Sequence, residues 1–302
     1  MTDRTRPLLV LTIILGLGFT GVFIKLAAPV SPANLFATRS LLSFALFALI
    51  VVLSPARRLV RVDRRSWTYA GPGVLLACYY YFAAVAFQQA PVAVVSLILA
   101  TAPVFGTLYG AVLGHAPGRW HYLGIALCLT GLAVTVSPDL AAPPATGPAT
   151  TPAGLAAALA SAAGLAGYGF LSRRLALPGG TAGDVTLVVY SLLGASLLGL
   201  VALAPGELAA ISAERPTTLV WLLGLSVVAT LVPTVALALL SQRVSPVSLP
   251  LTNLPVPLVA ALVAFLVLGE ALPVTFVPGA GLVVAGLYFL VVHPARRTRG
   301  SR

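Results

Sequence analysis

The chain has 302 residues, of which 59% are hydrophobic and only 8% charged. A water-soluble domain carries about 25% charged residues, so this composition excludes a molecule whose whole surface faces water and points to lipid. The net charge of +11 would suit a nucleic-acid binder in amount, but its distribution along the chain argues against one.

A helix needs about 20 mostly apolar residues to cross the hydrocarbon core. Ten stretches meet or approach that length: 8–28, 34–53, 68–87, 92–113, 120–137, 152–171, 185–204, 217–240, 246–268 and 274–292. In lipid each span must satisfy its own backbone hydrogen bonds. The runs are too long and too uniformly apolar for the alternating strands of a barrel. The expected fold is an all-α integral membrane protein with ten transmembrane helices.

The first stretch, "MTDRTRPLLVLTIILGLGF", has an apolar run longer than the 7–15 residues, roughly, of a signal peptide, so it reads as an uncleaved first helix. It continues into "FTGVFIKLAA", which holds Lys25, the only lysine. Lys25 lies about one turn before Pro29, where it either snorkels to the interface or faces water inside the bundle. Arg39, in "NLFATRSLLSF", lies about two turns into the second helix. A charge at the bilayer centre costs at least about 2.5–3.5 kcal/mol, and no acidic residue falls inside a span to pair with either cation. The expectation is that Lys25 and Arg39 face a water-filled outer vestibule and attract an anionic group such as a carboxylate, arginine as a fork and lysine as a point charge. Contact of Arg39 with backbone carbonyls is the alternative.

The third span carries "CYYYFAAVAF". Successive helical residues turn about 100°, so Tyr79, Tyr80 and Tyr81 cannot share one face. As a group they suggest an aromatic wall for substrate, against the alternative of ordinary packing with one satisfied hydroxyl. Trp67, Trp120 and Trp221 fit interfacial belts. The fourth span, "VAVVSLILATAPVFGTLYG", is interrupted by Pro103, and the ninth, "VSLPLTNLPVPLVAALVAF", by Pro250, Pro255 and Pro257. Proline frees a carbonyl, and breaks at corresponding places in two halves point to a central binding site. Ser96, Thr101, Thr252 and Asn253 cluster there and are candidate substrate contacts, with the prolines as hinges. Gly106, Gly110 and Gly114 form a small-residue stripe for close helix packing, within the chain or onto a second protomer. Cys78 and Cys128 sit in mid-span and read as packing residues. His115, His121 and His293 sit at helix ends, with no carboxylate at helical spacing to make a relay.

With the N-terminus inside, every Arg outside the spans except Arg215 lies on the cytoplasmic face. Retained positive charge orients membrane proteins. The basicity is therefore topological, both termini are expected in the cytoplasm, and "SPARRLVRVDRRSW" is a loop beside anionic headgroups. The Pro/Ala/Thr linker 138–151, expected on the outer face, divides the helices five and five, into 1–137 and 152–292, with a basic tail at 293–302. An offset of 155 places His115 on Glu270, Pro91 on Pro246, Gly124 on Gly279 and Gly131 on Gly286. An offset of 149 places Phe19 on Tyr168, Lys25 on Arg174 and Pro29 on Pro178. Five is odd, so the second copy enters from the opposite side. The two halves then form an inverted repeat, the architecture of many secondary transporters.

Ten helices as five plus five, the "IK" ending helix one, an Arg early in helix two and "LGE" after helix nine resemble the EamA-like members of the drug/metabolite transporter superfamily. The chain departs from that pattern with "LGH" in its first half. The resemblance implies a pathway between the repeats and export of amino acids and other small metabolites. The expected function is a secondary transporter of the inner membrane. It would move a small organic metabolite, such as an amino acid or related carboxylate, by alternating access. Quaternary amines or lipid-like solutes are the alternative cargo. An integral membrane enzyme is the distant alternative, since no H-E-x-x-H or G-x-S-x-G is present. The expected partners are substrate and lipid, not nucleic acid. No cofactor or metal is called for, monomer and homodimer stay open, and the missing mid-span acid favours a uniporter or exchanger over a proton pump.

Overall fold

The computed structural model describes residues 5–60, 66–114, 118–141, 150–175, 181–241, 253, 255–272 and 274–292. Every regular element among them is helical. Eight continuous stretches are long and apolar enough to cross a membrane, from Pro7–Leu26 to Thr217–Leu237. Two shorter apolar helices, Val256–Leu268 and Phe276–Leu290, follow.

The first stretch is α1 (Thr5–Gly18) and α2 (Thr20–Leu26), parted at Phe19. Next come α3 (Pro32–Leu53), α4 (Ala70–Gln89), α5 (Val92–Ala100), α6 (Ala102–Val112) and α7 (Arg119–Ala141). Then come α8 (Pro152–Leu175), α9 (Thr181–Ala202), α10 (Pro205–Glu214), α11 (Thr217–Ser226), α12 (Val232–Ser241), α13 (Val256–Leu268) and α14 (Phe276–Leu287). Local chemistry explains several boundaries. Ser31 caps α3 by accepting the Asn34 N–H, with Pro32 in the first turn, where its missing N–H costs nothing. The α5–α6 break falls at Thr101, two residues before Pro103, which cannot donate, and the Thr101 hydroxyl donates to the Ile98 carbonyl at 2.6 Å. A π turn at Val227–Leu231 precedes Pro233, whose ring and missing N–H widen the preceding helix. α13 ends at Gly269 in the left-handed conformation (φ 66°), a C-cap that suits glycine.

The helices pack in pairs drawn from either side of the linker: α4 along α8, α3 along α9, α1 along α12, α5 along α13 and α7 along α14. The α7–α14 crossing shows why glycines stand there. A Cβ at Gly131 would lie 2.6 Å from the Gly279 carbonyl oxygen, and one at Gly124 would lie 2.7 Å from that of Gly286. Between them the Cys128 thiol donates to the Val283 carbonyl at 3.7 Å, and both cysteines are free. By contrast a Cβ at Gly106, Gly110 or Gly114 would meet nothing within 4 Å. Close packing of that stripe within the chain is absent among the described residues.

One end of the bundle gathers the end of α2, the start of α3, the end of α4 and the starts of α5 and α8. Gln88 donates to the Val30 carbonyl, and Thr151 N–H to the Gln89 carbonyl. α10, an unforeseen short helix between the seventh and eighth stretches, lies there too, where Glu207 meets Ser31.

Candidate functional site

A cavity of about 560 Å³, counting its open mouth, lies between elements from both sides of the linker. Leu17, Thr20 and Gly21 come from the α1–α2 break, Tyr79 and Phe87 from α4, Ser96, Leu99 and Ala100 from α5, and Leu165 from α8. Asn253, Val256, Pro257 and Ala260 complete it from the ninth stretch. The walls are interrupted helices, which leave backbone and hydroxyl groups near the space. Ser96 donates to its own helix at Ala93. Thr20 Oγ1 is buried without a hydrogen-bond partner.

Of the expected substrate contacts, the structure brings Tyr79, Ser96 and Asn253 to this cavity. Thr101 is buried and stapled to Ile98, as a local brace of the break. Pro103 and Pro255 sit at the starts of α6 and α13, and Pro257 lies in the cavity wall. Thr252 and Pro250 lie outside the described residues, as do His115 and His293. His121 accepts from the Gly118 N–H at an exposed site.

The three tyrosines diverge as helical geometry requires. Tyr79 faces the cavity, Tyr80 is buried beneath Arg39, and Tyr81 is 38% exposed and packs edge-on against Phe36. The wall expected from all three is built by Tyr79 with Phe87. Arg39 corrects the vestibule expectation, because it is only 2% exposed. Its Nε donates to Thr230 Oγ1 at 2.7 Å, and its guanidinium carbon lies 4.0 Å from the Tyr80 ring centroid and 5.8 Å from that of Tyr79. Aromatic faces stabilise a desolvated guanidinium, yet Nη1 has no hydrogen-bond partner. Thr230 belongs to the π turn and donates in turn to the Leu225 carbonyl. The cation therefore sits one ring behind the cavity.

Lys25 corrects the expectation that nothing acidic pairs with it. Its ammonium forms a salt bridge with Glu270 Oε1. The left-handed turn at Gly269 reverses the chain after α13 and brings the Glu270 carboxylate back over the bundle, 93% buried. Its second oxygen accepts the Val92 N–H at 2.8 Å, the orphan donor that opens α5, where a carboxylate also meets the positive end of a helix dipole. Lys25 thus neither snorkels nor stands alone. A sequence separation of 245 residues hid the pair; the "LGE" motif and the lysine were each visible.

The cavity, the paired helices and the buried charges frame the comparisons with known proteins. Residues 6–137 match the model of the EamA-like transporter family. EamA-like proteins are transporters, not enzymes, and with its apolar spans the chain is a multi-pass membrane protein. No curated protein matches the chain. A solved structure described only as "Crystal structure of protein" shares its fold at a TM-score of 0.60 and 20% identity, over 98% of this chain and 99% of that one. The EamA-like match ends where the linker begins, so the cavity draws Leu17 to Ala100 from the matched segment and its remaining walls from beyond it.

Proposed function

We propose that the protein is a secondary transporter. It moves a small organic metabolite across the cytoplasmic membrane by alternating access between two inverted five-helix halves, with both termini in the cytoplasm. The observation that carries this reading is the cavity built by interrupted helices from both sides of the linker, the placement expected of a transporter site.

The ten-helix count takes Val256–Leu268 and Phe276–Leu290 as the cores of the ninth and tenth spans. Three contacts support the inverted repeat: Gly124 with Gly286, Cys128 with Val283, and Gly131 with Gly279. An offset of 155 exchanges the first with the third and leaves the second on itself, as a two-fold axis in the membrane plane would. The start of α8 at the end where α2 finishes supports it too.

The cargo is an amino acid or related carboxylate, and the direction is export. Arg39 behind Tyr79 lends the wall a positive potential, while Tyr79, Ser96 and Asn253 supply neutral contacts. Quaternary amines are the second reading, favoured by the Tyr79 and Phe87 rings. Reconstituted protein should accelerate counterflow of labelled amino acids over empty liposomes, with competition by carboxylates rather than by tetraalkylammonium ions. Counterflow inhibited only by the cations would select the second reading, and no saturable counterflow of any solute would remove both.

A further inference from the structure

Two carboxylates from beyond the linker grip the first half at the same end of the bundle. Glu270 holds Lys25 and the Val92 N–H. Glu207 accepts from Ser31 N at 2.6 Å, Ser31 Oγ at 2.8 Å and Asn34 Nδ2 at 2.8 Å. Asn34 also exchanges two hydrogen bonds with Ala204, donating at 3.2 Å and accepting at 2.9 Å.

What lies beneath each carboxylate differs. Under Glu270 lies the cavity. Gly21 and Phe87 line it, and a Cβ at Gly21 would stand 2.6 Å from the Phe87 ring and 2.8 Å from the Val92 side chain. Gly21 and Phe87 line the cavity toward this end, Val92 packs against Gly21, and the ion pair sits about one helical turn above Gly21, Lys25 being four residues past it. Under Glu207 lies solid packing. A Cβ at Gly199 would touch Ser40 Oγ and come within 3.2 Å of the Ala37 Cα, and Ser196 Oγ donates to the Ser40 carbonyl at 2.9 Å. Parting Glu270 from α2 and α5 opens a route to the cavity and breaks two polar contacts of one carboxylate. Parting α3 from α9 opens no route and breaks a five-bond clasp on top of a glycine-tight helix contact.

We propose that the two acids hold opposite parts in one movement: Glu270 with Lys25 and the Val92 N–H is the gate that must part for the cavity to open at this end, and Glu207 with Ser31 and Asn34 is the hinge about which it parts. The assignment rests on the alternating-access reading. Glu270 and Glu207 act as positioning residues that touch the moving elements rather than the cargo. Packed elements of this kind switch between discrete arrangements, so a carboxylate bound in only one of them shifts the balance between them.

The test uses the full chain in proteoliposomes, with Cys78→Ala and a reporter Leu99→Cys in the cavity wall. A membrane-impermeant sulfonated maleimide is added from the Lys25 side. Glu270→Gln should raise the initial labelling rate at least about threefold by populating the parted state. The swap Lys25→Glu with Glu270→Lys should return the rate toward the parent's. A thiol cross-linker bridging Lys25→Cys and Glu270→Cys should stop labelling from that side. One bridging Ser31→Cys and Glu207→Cys should leave it within about twofold. A gate cross-link that leaves labelling unchanged, a hinge cross-link that stops it, or a Glu270→Gln rate equal to the parent's would overturn the assignment and leave the transport reading standing. A reporter that reacts from neither side in any variant would remove the transport reading, and the gate with it.

Discussion

Arg39 is a cation held by aromatic faces and a hydroxyl, with a nitrogen left over and no carboxylate partner among the described residues. Transferring such a group from water is costly unless it is paired, so its presence in the core asks for a role beyond packing. Volume and charge separate by substitution. Arg39→Met keeps much of the contact with Tyr80 and removes the charge; isosteric apolar replacement of buried charge is often neutral or stabilising by about 1–4 kcal/mol. Arg39→Ala removes the contact as well and should cost about 2–5 kcal/mol relative to Met, the scale of truncating a buried long side chain. Thermal unfolding in detergent should therefore rank Met at or above the parent and Ala below it. Counterflow of a carboxylate should fall about tenfold in both, a loss of about 1.4 kcal/mol of binding. Equal melting temperatures for Met and Ala would show that the ring contact contributes nothing. The Lys25–Glu270 pair makes a complementary case. Glu270→Ala leaves an almost buried ammonium alone and should cost about 3–5 kcal/mol, and adding Lys25→Met should recover most of that. An additive double mutant would mean the two groups do not interact.

At the scale of elements, lipid makes spans legible and hides their joins. A span must be apolar and long, so the stretches near 34–53, 92–113 and 152–171 reappear as Pro32–Leu53, Val92–Val112 and Pro152–Leu175. The break at Thr101 was legible because Pro103 names its own chemistry. The parting at Phe19 was not, since nothing near it lacks an N–H; the π turn at Val227–Leu231 had a signal in Pro233 that an unbroken apolar run masked. Tertiary partners were hidden for a different reason. Glu207 and Glu270 fall outside the apolar stretches, and only the return of the chain sets them on Asn34 and Lys25. Small-residue patterns are ambiguous in the same way, because glycine allows a close approach without requiring one. Gly131 meets a facing backbone and Gly106 meets none. Gly131→Leu should therefore force α7 from α14 and cost more than about 2 kcal/mol, the scale of overpacking. Gly106→Ala should gain up to about 0.5–1 kcal/mol of helix propensity. Chemical denaturation or thermal melts of the two variants should move in opposite directions, and a loss at Gly106 would reveal a partner helix on that stripe.

The whole molecule is governed by a conflict between two demands. The bilayer asks for continuous, uncharged, self-satisfied helices. A route for a polar solute asks for breaks, hydroxyls and charge inside them. The chain concentrates the second set between α1–α2, α4, α5 and the start of α13, and leaves α7 and α14 to pack glycine against glycine at the side. Its arginines then carry a separate instruction about which way the bundle faces. If cytoplasmic retention of positive charge orients it, the loop holding Arg57 and Arg58 lies inside with both termini, and the turn holding Arg215 lies outside together with Glu207 and Glu270. The gate would then close the cavity from the exterior. Single cysteines decide the matter in intact cells. Arg215→Cys should react with an impermeant maleimide from outside. Arg57→Cys, and cysteines appended at either terminus, should react only after the membrane is opened. Termini that report from opposite faces would require an odd number of crossings and would break the five-plus-five arrangement. Arg57→Cys labelled from outside would invert the bundle, placing the Lys25–Glu270 gate at the cytoplasmic mouth and reversing the side from which cargo is first met.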